Sequence, residues 1–548
     1  MSLHPQEIPP IPEETARVAR AIVPQGNRYL LLRDALGTIY TDDLFVDLYP
    51  QLGQPAEQPW RLALVTVMQF MENYTDRQAA EAVRMRIDWK YVLSLELTDP
   101  GFDFSVLSEF RTRLVESEQG ERLLSALLQE CQERGWLKAR GKQRTDSTHV
   151  LAAIRTLNRL ECAGETLRAA LNALAVVAPD WLRAQVPVEW YERYGSRVEE
   201  YQLPKEKTQR QALAEQVGTD GAYLLEALRD ESAPAWLREV PAVEVLRRVW
   251  IQQYFVSEGK VCWRANENIP PASLLISSPY DPQAHLSIKR STVWTGYKVH
   301  VTETCDENLP HLLIHVETTA ATTQDKEVTE PIHQHLADKQ LLPSQHLADT
   351  GYVDGPQLVT SQGEYGIDLL GPVTVDPSWQ AKAGQGFDAA SFTIDWPAKR
   401  ATCPQGKPSH KWKSARDPNY PDVIHVEFGK ADCLACPCRA LCTTAATNPR
   451  QLTLRPPQQH AAIQARRKLQ TTPAFKERYK LRAGVEGTLS QGIRAFDLRR
   501  ARYLGQDKTH LQHVIIATAM NVVRLLAWIA AEVPRCTTRV SRFAALAA

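Results

Sequence analysis

Three acidic residues stand where their carboxylates could reach a common site. Asp146 lies in the stretch Arg-Thr-Asp-Ser-Thr-His-Val, whose β-branched and polar residues fit a strand. Asp349 ends a later strand-like run, 345–349, just before Gly351 and Tyr352 can turn the chain, and Glu486 lies on a helical run in a basic region. Hard divalent cations such as Mg²⁺ or Mn²⁺ prefer carboxylate oxygens, and two such ions about 4 Å apart suit an in-line phosphoryl displacement. Tyr479, Arg482 and Glu486 follow each other at intervals of three and four residues. With about 3.6 residues per turn they share one helix face, which sets a cation beside the third acid. Gly484 and Gly487 flank that acid although each costs about 1 kcal/mol in a helix interior, so close packing is expected there. Glu303, Glu317 and Asp325 border the same strands as outside candidates, whereas Asp354 reads as the N-cap of the next helix. Taken alone, any Asp at a strand end reads first as a turn or cap residue.

The cysteines suggest a second chemistry. Five of the ten fall between Cys403 and Cys442, and Cys433 and Cys436 have the spacing of a zinc knuckle. Cys403 and Cys442 could complete a tetrahedron around Zn²⁺, with Cys438 as substitute and His410 and His425 as nearby alternatives. Such an ion would order the Gly/Pro/Cys-rich segment 376–449, which shows no steady period and no apolar core of its own. Reduced thiols in a small apolar cluster are the alternative reading.

Strands and helices must bring the three acids together. Residues 1–27 are Pro-rich and read as a mobile arm, and 28–139 as an all-α N-terminal domain. Within that domain Thr75 and Gln78 fit a capping box, and the runs 77–84 and 89–95 read either as a DNA-contacting helix-turn-helix or as a plain packing pair. Strand patterns at 143–150, 295–304 and 312–318, a helix at 324–337, and strands at 345–349 and 366–375 predict a mixed five-stranded α/β sheet. A helical insertion, 154–291, interrupts it. Residues 140–153, 292–375 and 450–530 together form the expected core, and 531–548 a tail.

The segments RTDSTHV, LADTGYVDG and YKLRAGVEGTLSQGIRAFDLRRARYLGQDKTHLQHV resemble those of the DDE transposases of bacterial insertion sequences, over roughly 28–530. The resemblance implies an RNase H-like catalytic core with Asp146, Asp349 and Glu486 as the first, second and third acids, each binding the catalytic metal. Tyr479, Arg482 and Glu486 match the family's tyrosine, arginine, glutamate, lysine signature. Its lysine position is held by Ile493, with Arg494 beside it. Similar cysteine-rich insertions occur in such transposases. The implied activity is phosphodiester hydrolysis at the ends of a mobile element and strand transfer into target DNA. An inactive DNA-binding regulator and a metal-dependent nuclease without strand transfer are the other classes considered. The implied partners are terminal inverted repeats and target DNA, bound by a homodimer.

At 548 residues the chain holds several domains' worth of sequence. Hydrophobic and charged contents of 43% and 23% exclude collagenous and disordered classes. The acidic, Pro-rich start does not fit a signal peptide, and the most apolar run, 514–530, is broken by Asn521 and Arg524. The expectation is therefore a cytoplasmic, nucleoid-associated protein with no membrane partner. The net charge of zero hides an asymmetry, since 450–548 carries 18 Lys and Arg against five Asp and Glu. A basic field of this kind either binds a polyanion or docks on the acidic remainder. The candidate DNA contacts are Arg478, Tyr479, Arg482, Arg494, Arg499, Arg500, Arg502 and Lys508.

Overall fold

The computed structural model describes residues 1–289, 291–417, 420–531 and 546. The first 27 residues do not form the expected mobile arm. Helix α1 (Glu13–Ile22) is pinned by Thr15, whose buried hydroxyl donates to the Leu95 carbonyl at 2.8 Å, and Ser2 and Leu3 are buried as well. Helix α2 (Pro59–Glu72) is sunk almost wholly in the core through Trp60, Leu64, Val67 and Phe70.

Helix α3 (Asp76–Met85) starts at the expected capping box, with the Thr75 amide donating to Gln78 Oε1 at 2.9 Å. Helix α4 (Ile87–Val92) has six residues, and Trp89, Lys90, Tyr91 and Val92 are all buried. A second helix this short and this enclosed fits the packing-pair reading.

Strand β1 (Arg140–Leu151) is the axis of the main sheet. Helices from Arg159–Val177 to Pro241–Gln253 follow it and pack around their own apolar cluster of Leu167, Leu174, Leu224, Leu246 and Trp250. The chain then returns as β2 (His285–Lys289), β3 (Thr292–Thr304) and β4 (Leu313–Ala320). Helix α5 (Asp325–Asp338), β5 (Pro343–Leu347), α6 (Gly355–Gly363) and β6 (Asp368–Leu370) complete the sheet. Its order is β4–β3–β1–β5–β6, antiparallel across β4, β3 and β1 and parallel from β1 to β6. Strand β2 pairs with the start of β3, residues 292–296, beside the stretch that β4 pairs with. The sheet is therefore six-stranded rather than five, because β2 lies in what the sequence pattern assigned to helices.

The cysteine-rich segment is not coreless. Strands β7 (Ser409–Asp417), β8 (Tyr420–Phe428) and β9 (Gln451–Leu454) form an antiparallel sheet. Phe392, Ala401, Val426, Phe428, Leu452 and Leu454 make a small core against it.

Two C-terminal helices close the structure, α7 (Gly484–Ala495) and α8 (Gln506–Ile529). Helix α8 is the one described helix long and apolar enough to cross a membrane, yet most of it is buried against β4 and α2. One of the two residues that break its apolar run is a core partner. Asn521 receives the Leu313 amide at 2.8 Å and donates to the Leu313 carbonyl at 2.7 Å, satisfying an edge-strand residue inside the protein. The expected tail, 531–548, falls almost entirely outside the described residues.

Candidate active site

Asp146 sits mid-strand on β1, opposite Val301 of β3. On the other side β1 runs parallel to β5 with Arg144 facing Leu347, so the chain leaving β5 carries Asp349 alongside Asp146. Asp349 lies two residues past the strand end, where its Oδ1 accepts the Gly351 amide at 2.8 Å. Glu486, in the first turn of α7, is open to solvent with 66% of its side chain exposed. The three acids line one cleft of about 480 Å³, together with Arg482, Arg499, Lys289, Lys298, His149 and Trp294.

Arg482 ties the acids to each other. Its guanidinium donates to Asp146 Oδ2 at 2.6 Å and to Glu486 Oε1 at 2.9 Å, while its Nε is buried without a partner. The cation is thus shared between strand and helix rather than held in a simple one-turn helical pair. Burial pushes the Asp146 carboxyl above its usual range and the Asp349 charge adds to this, against the Arg482 cation and the Ser147 amide. Tyr479 stacks on Phe475, and burial raises its phenol, with Arg482 opposing and the acids reinforcing.

The close packing expected around Glu486 occurs on one side only. A Cβ on Gly484 would lie 2.0 Å from an Arg144 guanidinium nitrogen, whereas one on Gly487 would meet nothing within 4 Å. Arg144 is held in place by Glu303 at 2.7 Å and by the Leu481 carbonyl at 2.6 Å. Glu303 is fully buried and also receives Thr488 and Arg524, so it is a structural hub and not a cleft carboxylate.

Asp325 does border the cleft. A methyl on Gly351 would lie 3.0 Å from both Asp325 Oδ2 and Asp349 Oδ1, and Lys298 and Lys289 approach Asp325 at 3.4 and 3.9 Å. Glu317 lies elsewhere, against His315 and His335. Asp354 caps α6 and pairs with Arg455. Sequence reasoning missed Lys289, Lys298, His149 and Trp294, which reach the cleft through strand register, a signal that local spacing does not carry.

The candidate DNA contacts divide. Arg499 lines the cleft, bonded to Thr148 Oγ1 at 2.8 Å. Arg494, Arg500 and Lys508 are exposed, and Arg478 pairs with Asp368. Arg502 departs from expectation. Its guanidinium donates to the Tyr74 carbonyl at 2.9 Å and to Asn73, and it covers the Phe70 ring, so it ties the N-terminal helices to the C-terminal region. At the signature's lysine position, Ile493 packs against the core.

Cys403, Cys433, Cys436, Cys438 and Cys442 line one pocket, and burial with the neighbouring Cys433, Cys403 and Cys436 raises the Cys442 thiol. His410 and His425 do not line it.

Residues 402–526 match the family model described as Transposase DDE domain, and residues 17–113 match Transposase domain (DUF772). The first match contains Tyr479, Arg482 and Glu486 but not Asp146 or Asp349. No curated protein and no solved structure matches the chain.

Proposed function

We propose, taking the chain as an insertion-sequence DDE transposase as its two family matches indicate, that this cleft cuts the phosphodiester at the element's ends and joins the freed 3′-hydroxyl to target DNA. The observation that carries this is the convergence of Asp146, Asp349 and Glu486 on one cleft walled by Arg482, Arg499, Lys289 and Lys298. On this reading the main sheet is an RNase H-like core, supported by three antiparallel strands followed by two parallel ones. In the hydrolytic step a water oxygen bonds to phosphorus and the 3′-oxygen leaves as a hydroxyl. In joining, that hydroxyl loses its proton, its oxygen bonds to a target phosphorus, and the target's own 3′-oxygen leaves.

Asp146, Asp349 and Glu486 are the residues that would hold Mg²⁺ or Mn²⁺. Their oxygens are hard donors, and two of the three already share a cation in Arg482. When bound, such ions neutralise charge on the reacting phosphate and lower the barrier to its displacement. The chain supplies the rest. Arg499, Lys289 and Lys298 fix backbone phosphates against the strand face, and Arg482 offers a positive charge where negative charge grows. The working form is a homodimer on terminal inverted repeats, since two ends must be cut and joined together.

Asp146→Asn, Asp349→Asn and Glu486→Gln should each abolish Mg²⁺-dependent cleavage and joining of a duplex carrying the element's end, with binding of that duplex retained. Wild-type rates in any one variant would remove that residue from the assignment. Cleavage by the unaltered protein without joined product would reduce the activity to that of a nuclease.

The pocket of Cys403, Cys433, Cys436 and Cys442 is assigned a structural zinc, with Cys438 as the substitute ligand. Co²⁺ in its place should show the charge-transfer absorption of bound thiolates, and Cys436→Ser should weaken it. No thiolate band at saturating Co²⁺ would leave a reduced thiol cluster.

A further inference from the structure

Away from the carboxylate cleft, β4 and α5 bring together a second set of ligating side chains. His315 and Glu317 are two residues apart on β4, so both project from the same face of the strand. His335, in the last turn of α5, meets them there. His335 Nδ1 lies 3.1 Å and His315 Nε2 3.4 Å from one oxygen, Glu317 Oε2, and the ligand atoms of the three residues all lie within 4.8 Å of one another. Donors about 2 Å from a tetrahedral zinc are roughly 3.3 Å apart, so these separations already approach those of a bound ion.

An independent feature points the same way. The His315 side chain is only 3% exposed, and its Nε2 is buried without a close hydrogen bond, Glu317 Oε2 lying 3.4 Å away. Buried polar atoms are rarely left unpaired without a reason. His335, at 49% exposure, gives a route from solvent and leaves room for water at a fourth position.

We propose that His315, Glu317 and His335 form a binding site for a zinc-class transition-metal ion that clamps β4 to α5, separate from the carboxylate cleft. Two imidazoles and one carboxylate select borderline ions such as Zn²⁺ over Mg²⁺, which favours all-oxygen sites. Lys339 sets the terms of loading. Its Nζ lies 3.2 Å from His315 Nδ1 and 2.7 Å from Glu121 Oε2. A metal on Nε2 requires the imidazole proton on Nδ1, so Lys339 must turn wholly to Glu121 as the ion enters. Removing that ammonium should therefore favour the ion.

The test uses the full chain stripped with chelator and titrated with Zn²⁺ and, in parallel, with Co²⁺. Cobalt here should give ligand-field bands without thiolate charge transfer, which separates this site from the cysteine pocket. Wild type should show both those bands and a zinc-dependent rise in melting temperature. His335→Ala, a change at a half-exposed position, should weaken binding at this site at least tenfold and lose the thiolate-free bands and this site's part of the zinc-dependent rise, the cysteine pocket's signals remaining, while melting normally in chelator. His335→Gln, which keeps the side chain's bulk, should do the same. Lys339→Met should bind several-fold more tightly. Equal zinc stoichiometry and affinity in wild type and both His335 variants, or weaker binding by Lys339→Met, would overturn the site.

Discussion

At the scale of single residues the candidate site turns on Arg482, because one guanidinium holds both Asp146 and Glu486. An exposed one-turn pair is worth only a few tenths of a kcal/mol, but this arginine also occupies two of the carboxylates proposed to hold a divalent ion. Arg482→Gln should therefore bind Mg²⁺ more tightly in the absence of DNA and yet cut more slowly, by about 10²-fold if the lost charge acts on the reacting phosphate. Metal titration beside single-turnover cleavage reads both effects, and tighter metal with unchanged cutting would confine Arg482 to a structural role. The pH response has a definite sign. Burial raises the Asp146 carboxyl and the Arg482 cation opposes the rise, so on the proposed reading the ionised form that would ligate metal is lost as pH falls through a value above the usual Asp range. Arg482→Gln should shift that loss to higher pH, read as Mg²⁺ affinity against pH. The three acids and Arg482 were legible in local sequence, since each stands in a recognisable stretch. Lys289 and Lys298 were not, because only the pairing of β2 with β3 and of β3 with β1 carries them to the cleft; Asp325 was readable as a border residue, but its place beside Asp349 depends on the turn at Gly351.

At the scale of elements, α7 presents Glu486 from between two glycines that the structure makes unequal. Gly484 lies against Arg144, which Glu303 and the Leu481 carbonyl hold at both ends, so Gly484→Ala must push a buried guanidinium off its partners. A loss of about 1–3 kcal/mol is expected from the broken Arg144 bonds to Glu303 Oε1 and the Leu481 carbonyl, Thr488 and Arg524 still holding the other Glu303 oxygen, along with slower cleavage as α7 shifts. Gly487→Ala meets open space and should gain up to about 1 kcal/mol of helix propensity with cleavage intact. Thermal melts and cleavage rates of the two variants check the contrast, and equal effects would mean that Arg144 does not set the position of α7. The all-α character of 28–139, which holds α2, was readable, as was the capping box before α3. The sequence misled where tertiary contacts decide. α1 is ordered by tertiary contacts, the buried Thr15 bond to Leu95, the Arg20 bond to Tyr91 and the packing of Ala16 and Ala19 against Leu30 and Tyr91, and the aromatic residues of α4 prove to be enclosed. β7 and β8 escaped notice because polar residues occupy much of an edge-rich sheet whose core is only six residues.

For the whole molecule, the charge asymmetry resolves into two populations that sequence could not separate. Part of the C-terminal basic field is engaged within the protein: Arg478 and Arg524 pair with the acids Asp368 and Glu303, and Arg502 is fixed on the N-terminal helices by Tyr74, Asn73 and Phe70. Arg494, Arg500 and Lys508 remain exposed, and Arg499 opens on the cleft. If the exposed set follows the DNA backbone away from the cut site, each neutralised contact should flatten the dependence of log affinity on log salt by roughly 0.9. The triple variant Arg494→Gln, Arg500→Gln, Lys508→Gln should therefore lose between two and three units of slope, about as many as the contacts removed, while melting like the unaltered protein. Arg502→Gln should do the opposite, leaving the slope alone and lowering the melting temperature, because its guanidinium is engaged within the protein. Binding isotherms across a salt series, paired with melts, distinguish the two. A slope unchanged in the triple variant would take the DNA path off α7 and the start of α8 and onto the cleft wall of Lys289, Lys298 and Arg499.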